Sequence, residues 1–466
     1  MDLAIKDTTL LTMKNDTPTI IENGAIGVSF DKIDFVGKTR DLEEANYSKV
    51  LKRPNHVTMP GLIDSHIHSG LTILRGTAQD VPEKEWMDKA LGPITKHMDN
   101  EDKLAGSKLG VLEGLRSGTT TFSEFTSDLE EIIEKVYRPY GARVVGAETI
   151  NEVVDSKGDV YTLERAEEKL KKTEELFKRY SQSDMIELMY GPQALDMVTI
   201  DTLKIIYERA LEKNRPVHMH VAQGGREKEQ IKKRFGTTTV EKLDEENMLG
   251  KNLLAAHCHA TTKEEKNKMV ENDVKMVGCP SSIVMIDGIV PPIKEYLEIG
   301  GIVGIGSDQA PGNGAHNLFR EMRTINILTK CKESDPASLK PWETLLLATK
   351  MGARAIGLEE SIGSLEEGKK ADIITVDMGN LNLTPTIHDP FHNIIPNLVY
   401  SSTGFEVNDV IINGKKIIIN GSFIEIDENK IKDKLDKRAK DLLKRSEDDW
   451  ISADSSMVKY QRDGHI

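Results

Sequence analysis

The sequence predicts an α/β protein made of a (β/α)8 TIM-type barrel and a small β-sandwich domain formed by the N- and C-terminal segments. Through the middle of the chain, short apolar segments alternate with helical segments, a rhythm typical of a parallel barrel with its helices outside. At both ends this rhythm gives way to short strands and tight turns, which pair most simply into one β-rich unit.

Residues 1–56 are expected to form the first part of the sandwich. Ala4–Met13 and Ala25–Val36 are predicted strands, and Glu22-Asn23-Gly24 between them is a predicted turn. Asn and Gly favour that interpretation because both tolerate the backbone angles that tight turns require.

Residues 57–360 are expected to form the barrel. In Leu163–Tyr180 and Thr202–Asn214, apolar residues recur at helical spacing with charged residues on the outer face. Stretches of this kind separate most of the predicted barrel strands, which are Val57–Ile63, Thr119–Phe122, Ala142–Val145, Ile186–Tyr190, Pro216–Met219, Leu253–Ala256, Lys275–Val277 and Ile302–Ile305.

Residues 361–426 are expected to complete the sandwich. A Gly-bounded turn leads into a strand at Ile373–Val376, and Asn413-Gly414 joins Val407–Ile412 to Lys415–Ile419 as a tight hairpin. Residues 427–466 are expected to be a charged helical extension. Its weak apolar stripe, typical of a surface or interface helix, consists of Ile431, Leu435, Leu442 and Leu443.

The composition excludes several classes of function. The chain has 466 residues and a formal net charge of −14 without a basic block, which argues against nucleic acid as a partner. We find no apolar run long enough to span a bilayer and no signal-like N-terminus, so no membrane partner is expected. Three cysteines cannot form a disulfide framework, which fits a reducing cytoplasm.

Histidines at the ends of the predicted barrel strands indicate a metal site. His66 and His68 share one face of a strand because side chains alternate along it. Barrel enzymes place their chemistry at the carboxyl ends of the strands. There, strand five ends in His218 and His220, strand six in His257 and His259, and strand eight in Asp308. Imidazole and carboxylate ligands suit zinc, iron, cobalt or manganese with one position left for water.

These residues carry a resemblance to a known family. The chain resembles the amidohydrolase superfamily, in the branch that holds triazine hydrolases, cytosine deaminase and adenosine-type deaminases. The resemblance covers nearly the whole chain. Its motifs, in order, are Pro60–His68, Ala256-His257-Cys258, Cys279-Pro280-Ser281-Ser282, Gly306-Ser307-Asp308 and Gly363–Ile373.

The resemblance implies a role for each matching residue. His66, His68 and His220 would bind one divalent metal ion, with zinc the first choice and iron, cobalt or manganese as alternatives. Asp308 would be a ligand or near-ligand and the general base, and His257 would orient or polarise the attacked group. No lysine ends the fourth strand, which favours one metal over two. His218 and His259 are expected to pack near the site rather than to bind the metal.

Two residues depart from the pattern of the ring deaminases in this branch. Those enzymes usually carry a glutamate three residues after the strand-five histidine and often a histidine after the fourth-strand Gly-Pro, where this chain has Gln223 and Gln193. Glutamine donates a hydrogen bond but transfers no proton at neutral pH. The sequence therefore favours a metal-dependent hydrolase of non-peptide C–N bonds in amides, ureas, carbamates or heterocycles.

Three other functions remain open at this stage. They are an aminohydrolase of a purine, pyrimidine, pterin or triazine ring, a triazine chlorohydrolase, and a catalytically inactive binding protein. Candidate contacts to a small-molecule substrate are Gln223, Gln193, Glu85, Trp86 and Arg226. By resemblance, the chain is expected to form a homodimer.

Overall fold

The computed structural model describes residues 1–152 and 163–466 of the chain. The strands in these ranges are β1 (Leu3–Leu11), β2 (Ile20–Ser29), β3 (Lys32–Lys38), β4 (Lys49–Lys52), β5 (His56–Pro60), β6 (Leu62–Ile67), β7 (Thr119–Thr126), β8 (Arg143–Ile150), β9 (Ile186–Pro192), β10 (Val217–Val221), β11 (Leu253–His257), β12 (Lys275–Gly278), β13 (Val303–Ile305), β14 (Ile373–Asp377), β15 (Val407–Ile412), β16 (Lys415–Ile419) and β17 (Ser422–Phe423).

The α-helices in the same ranges are α1 (Glu83–Glu85), α2 (Gly92–Thr95), α3 (Asn100–Arg116), α4 (Leu129–Ile132), α5 (Arg138–Tyr140), α6 (Leu163–Arg179), α7 (Ile200–Glu212), α8 (Gly225–Phe235), α9 (Thr239–Glu245), α10 (Lys263–Glu271), α11 (Pro280–Asp287), α12 (Ile293–Glu298), α13 (Ala310–Asn313), α14 (Leu318–Glu333), α15 (Pro341–Leu347), α16 (Lys350–Ala355), α17 (Ile394–Pro396), α18 (Glu428–Arg445), α19 (Glu447–Ser452) and α20 (Ser456–Arg462). None of the described helices combines the length and the hydropathy that crossing a membrane requires.

Strands β6 to β13 form the predicted barrel, in chain order and all parallel. A parallel bridge between Ile67 and Asp308 connects the first strand to the segment that follows the last one. The backbone N–H of Asp308 donates to His66 O (2.9 Å), and that of His68 donates to Asp308 O (2.8 Å). Residues that carry the expected chemistry therefore also connect the two ends of the barrel sheet.

The segment predicted as the first barrel strand, Val57–Ile63, is divided between two sheets. β5 pairs with β14 and β1, whereas β6 begins the barrel at Leu62. Gly61 separates them at a point where the chain passes close to β7, because a Cβ there would lie 2.1 Å from Thr120 Oγ1. A continuous apolar run does not reveal this division, since both strands are buried.

The strands of the two ends form one mixed sheet in the order β17-β16-β15-β14-β5-β1-β2-β3, with β4 paired to β1. The predicted strand Ala25–Val36 is in fact parts of β2 and β3, which turn back at Phe30 (φ 55°). The predicted turn at Glu22-Asn23-Gly24 lies inside β2, where the pairing with β1 is irregular. Asn and Gly at that point mark a bulge rather than a chain reversal.

The C-terminal helices pack on the barrel. Leu435 and Leu442 of α18 are buried among apolar residues of the segment 73–105, whereas the neighbouring Leu443 is 39% exposed. Arg438 donates to the carboxylates of Asp99 and Asp102 at the start of α3. The apolar stripe of the extension is thus largely satisfied within the chain and gives no support to a dimer interface.

Candidate active site

Four barrel strands bring the five predicted metal-site and catalytic residues together. His66 lies near the end of β6 with His68 just beyond, His220 lies in β10, His257 ends β11, and Asp308 follows β13. The Nε2 atoms of His68 and His220 are 3.3 Å apart. Asp308 Oδ1 lies 3.7 Å from His66 Nε2 and 3.6 Å from His68 Nε2.

Hydrogen bonds to backbone carbonyl groups fix the orientation of two of these imidazoles. His68 Nδ1 lies 2.7 Å from Phe125 O, and His220 Nδ1 lies 2.8 Å from Gln193 O. A carbonyl oxygen only accepts, so each Nδ1 carries the proton and each Nε2 presents a lone pair. This is the tautomer that a metal-binding histidine adopts when its other nitrogen is held by the protein.

His66 is held by another histidine rather than by a carbonyl group. His66 Nδ1 lies 2.9 Å from His218 Nε2, and His218 Nδ1 lies 3.4 Å from Ser123 Oγ. With a proton on Nδ1 of each histidine, His66 donates to His218 and His218 donates to Ser123. His66 Nε2 then keeps a lone pair that can bind a metal ion. His218 therefore lies behind the cluster, next to the ring of His66.

The lowered pKa values of the clustered histidines favour the binding of a metal ion over protonation. Burial lowers the pKa of His66, His218 and His257 well below the usual range and that of His220 to about 3. Neutral imidazoles are the form that binds metal ions. His66 Nε2 and both ring nitrogens of His257 are buried without a hydrogen-bond partner in the described part of the chain. His66, His68 and His220, and likewise His66, His257 and Asp308, each offer ligand atoms within 4.8 Å of one another.

The backbone conformation and neighbouring hydrogen bonds fix the position of Asp308. Its φ of 59° is left-handed, a strained angle for a non-glycine residue that active sites often contain. Ser282 Oγ donates to Asp308 Oδ2. The preceding Ser307 donates to Asp64 through its backbone N–H (2.9 Å) and its hydroxyl (2.5 Å). Burial raises the pKa of Asp308, and the hydrogen bond from Ser282 lowers it.

A cavity of about 770 Å³ opens above the cluster, with His68, His220 and Asp308 in its wall. That volume is in the range of small-molecule sites. Four of the five predicted substrate contacts line it, namely Gln193, Gln223, Trp86 and Arg226.

The fifth predicted contact, Glu85, lies outside the cavity. It is exposed and pairs with Lys89 (2.7 Å) rather than lining the cavity. Glu83, two residues earlier, lines the cavity and accepts from the backbone N–H of Arg226 (3.4 Å). The short helix α1 turns the two glutamates in different directions, a distinction that the sequence does not contain.

Two of the cavity residues are already engaged by the protein. Trp86 is buried and its indole N–H donates to Ala78 O (2.9 Å). The Arg226 guanidinium donates to the Asp196 carboxylate, so its charge is balanced without a substrate anion. Of the two interpretations open for Arg226, the ion pair is the one that the structure contains.

Asp287 is a further residue of the cavity that the sequence did not indicate. Its carboxylate lines the cavity and lies 3.6 Å from Nε2 of the buried His259. A Cβ on Gly224 would lie 3.0 Å from Glu83 Oε1 and 3.2 Å from Asp287 Oδ1. Two carboxylates thus flank the loop that carries Gln223. No motif singles out Asp287, which ends the largely apolar helix α11.

Comparisons with known proteins identify the family of the chain. The sequence profile of the amidohydrolase family matches residues 57–417. A 5-methylthioadenosine/S-adenosylhomocysteine deaminase from Moorella thermoacetica is 32% identical over 94% of this chain and 98% of its own length. A 5'-deoxyadenosine deaminase from Methanococcoides burtonii is 30% identical over 95% of this chain and 98% of its own.

Solved structures share the fold over almost the whole chain. An adenosine deaminase from Xanthomonas campestris with bound zinc superposes with a TM-score of 0.88 at 26% identity, over 95% of this chain and 98% of that one. Atrazine chlorohydrolase from Arthrobacter aurescens, complexed with zinc, has a TM-score of 0.85 at 19% identity, over 94% and 100% of the two chains. The protein belongs to the amidohydrolase family and is a hydrolase of carbon–nitrogen bonds.

Proposed function

We propose that the protein is an aminohydrolase that replaces the amino group of an adenosine-type heterocycle by oxygen from water. The observation that carries the proposal is the convergence of His66, His68, His220 and Asp308 beside one large cavity, with the last three of these residues in its wall. The substrate class is supported by the names of relatives that match this chain over almost its full length.

The proposed metal ligands are His66, His68, His220 and Asp308, and zinc is the proposed ion because it is bound in two structural neighbours. A divalent ion held by these residues would supply Lewis acidity and would make a water molecule more acidic. Iron, cobalt and manganese accept the same ligand types.

Asp308 is the proposed general base. It accepts a proton as water adds to the carbon and returns that proton to the departing nitrogen. Ser282 holds one carboxylate oxygen in place, which leaves Oδ1 directed at His66 and His68. His257 is proposed to orient the attacked group, because its ring is buried beside His66 and His220 and makes no hydrogen bond within the described ranges.

Gln223 and Gln193 favour a second candidate function. Both line the cavity with neutral amides, which can orient a substrate by hydrogen bonds but supply no proton. Hydrolysis of an amide, urea or carbamate, or displacement of a leaving group from a triazine, needs no protonation of a purine ring. In that case Asp308 alone would carry the proton from water to the leaving group.

Product analysis on the metal-loaded enzyme separates the two functions. Ammonia released from 5'-deoxyadenosine or methylthioadenosine supports the aminohydrolase, and an amine plus an acid from an acyclic substrate supports the alternative. Gln223→Glu restores a titrating group at the cavity wall. If this variant gains ring deamination that the wild type lacks, with unchanged metal content, the second function is favoured.

Absence of turnover on either class by protein loaded with zinc, iron, cobalt or manganese would favour a catalytically inactive binding protein. A cytoplasmic location, based on the three free cysteines, and a homodimer, based on the family resemblance and not on the apolar stripe, are also our proposals. Static light scattering of the purified protein tests the homodimer directly.

A further inference from the structure

We propose that Glu22, His388 and His392 form a second divalent-metal site, at the mixed sheet and separate from the barrel site. Glu22 lies in β2, and both histidines lie in the connection between β14 and α17. One carboxylate oxygen and one nitrogen of each ring lie within 4.8 Å of one another. None of these residues contributes to the active-site cavity.

The spacing matches that of zinc ligands. Glu22 Oε1 lies 3.4 Å from His388 Nδ1 and 3.8 Å from His392 Nε2. Metal bonds of about 2.1 Å at tetrahedral angles separate neighbouring ligand atoms by about 3.4 Å. The two rings have centroids 5.9 Å apart and planes at 88°, so they approach the carboxylate from different directions.

The side chains of Glu22, His388 and His392 are available to bind a metal ion. Within residues 1–152 and 163–466, no hydrogen bond occupies the ring nitrogens of His388 or His392, and the two histidines are the ion-pair partners of the Glu22 carboxylate. The three side chains are partly exposed, at 44%, 46% and 34% for Glu22, His388 and His392. A cation bound there would keep at least one water ligand, and it would enter from solvent toward a chain of net charge −14.

The connection that carries both histidines is held in shape by asparagine side chains. Asn393 accepts from the backbone N–H of Ile387 (2.8 Å) and donates to Pro385 O (2.8 Å). Asn397 donates to Leu383 O (2.9 Å). These bonds lie on both sides of the segment and fix the backbone that carries the two imidazoles, which lowers the cost of ordering the site. A metal there would tie an N-terminal strand to a C-terminal connection of the same sheet.

The simpler alternative is a pair of histidine–carboxylate ion pairs without a metal. The two differ in stoichiometry, which metal analysis measures without any assay of activity. Protein is stripped with chelator, incubated with excess zinc, freed of unbound metal by gel filtration, and analysed for zinc per chain. Wild type, His388→Ala/His392→Ala, Glu22→Gln and the control His56→Ala are compared, together with His68→Ala, which alters the barrel site.

We expect about two zinc ions per chain in wild type and in His56→Ala, and one fewer in the His388→Ala/His392→Ala and Glu22→Gln variants. The thermal midpoint of wild type should rise with zinc beyond one equivalent, and that rise should be absent in the double variant. His68→Ala should retain this second rise even if it loses all turnover. Equal zinc content in wild type and the double variant, with no difference in thermal response, would overturn the proposal and leave the proposed function untouched.

Discussion

The Nε2 atom of His218 lies 2.9 Å from Nδ1 of His66, so one histidine of β10 holds a histidine of β6 in its binding orientation. Replacement of such a supporting group typically lowers metal affinity by about 10- to 100-fold. We expect His218→Phe, which keeps a ring but accepts no hydrogen bond, to lose zinc at correspondingly lower chelator concentrations. His56→Phe in β5 should behave as wild type. Equal zinc affinity in His218→Phe and wild type would contradict a supporting role.

Ser282→Ala should move the pH dependence of catalysis. The Ser282 hydroxyl lowers the pKa of Asp308 against the effect of burial, so its removal raises that pKa. The general base is active when ionised, and the acidic limb of the kcat–pH profile should therefore shift to higher pH, by up to about one unit. Ser281→Ala, on the neighbouring side chain, is the matched control. An unmoved acidic limb in Ser282→Ala would exclude Asp308 as the group that titrates.

Leu442 and Leu443 offer a direct test of how the C-terminal extension contributes. Leu442 is completely buried, whereas Leu443 is 39% exposed. Truncation of a buried leucine costs about 2–5 kcal/mol and of an exposed one less than about 0.5 kcal/mol. Urea unfolding should show this difference between Leu442→Ala and Leu443→Ala.

Leu442 also belongs to the apolar cluster that contains Trp86, and Trp86 lines the cavity. We therefore expect Leu442→Ala to raise KM more than it lowers kcat. Equal unfolding free energies for the two leucine variants would show that the extension is not packed as described.

Glu321 gives a prediction for stability and pH. It is buried in α14, accepts from the backbone N–H of Ser281 (2.8 Å), and burial raises its pKa to about 8 from 4.5. The folded state therefore holds the proton more tightly than the unfolded chain, and this gain is complete below pH 4.5 and lost as the pH rises toward 8.

Glu321→Gln stays neutral and should lose less stability between pH 5 and pH 8 than wild type does, by more than about 1 kcal/mol. The exposed Glu333→Gln on the same helix is the control. Parallel stability curves for wild type and Glu321→Gln would show that Glu321 does not titrate in this range.

The barrel and the convergence of its histidines could be predicted because both follow from simple periodicities. Side chains two residues apart share a strand face, so His66 and His68 had to point the same way. The same rule places His218 and His220 on one face but does not say which one reaches the centre. The position of each histidine along β10 decides which one reaches the cluster. That position depends on how β10 pairs with β9 and β11.

Features that depend on long-range packing could not be predicted from the local sequence pattern. Nothing in the sequence of Val57–Ile63 reveals that Gly61 divides two sheets, because the division results from contact with Thr120. Glu83 and Glu85 differ only in the direction that a short helix gives them. The sequence predicts the apolar stripe of the C-terminal extension but not its partner, the segment 73–105, because that segment is remote in the chain.

The pairing of β5 with β14 also constrains the order in which the protein forms during synthesis. Pro60 faces Ile373 in this pairing, so the partner of β5 emerges from the ribosome only after roughly 300 more residues, which takes about 15–60 s. During that interval the inner edge of the N-terminal strands stays unpaired, while the barrel segments are completed beside it. The last strands to emerge then join the first, which makes the nascent chain most vulnerable to edge-to-edge association in the interval before β14 appears.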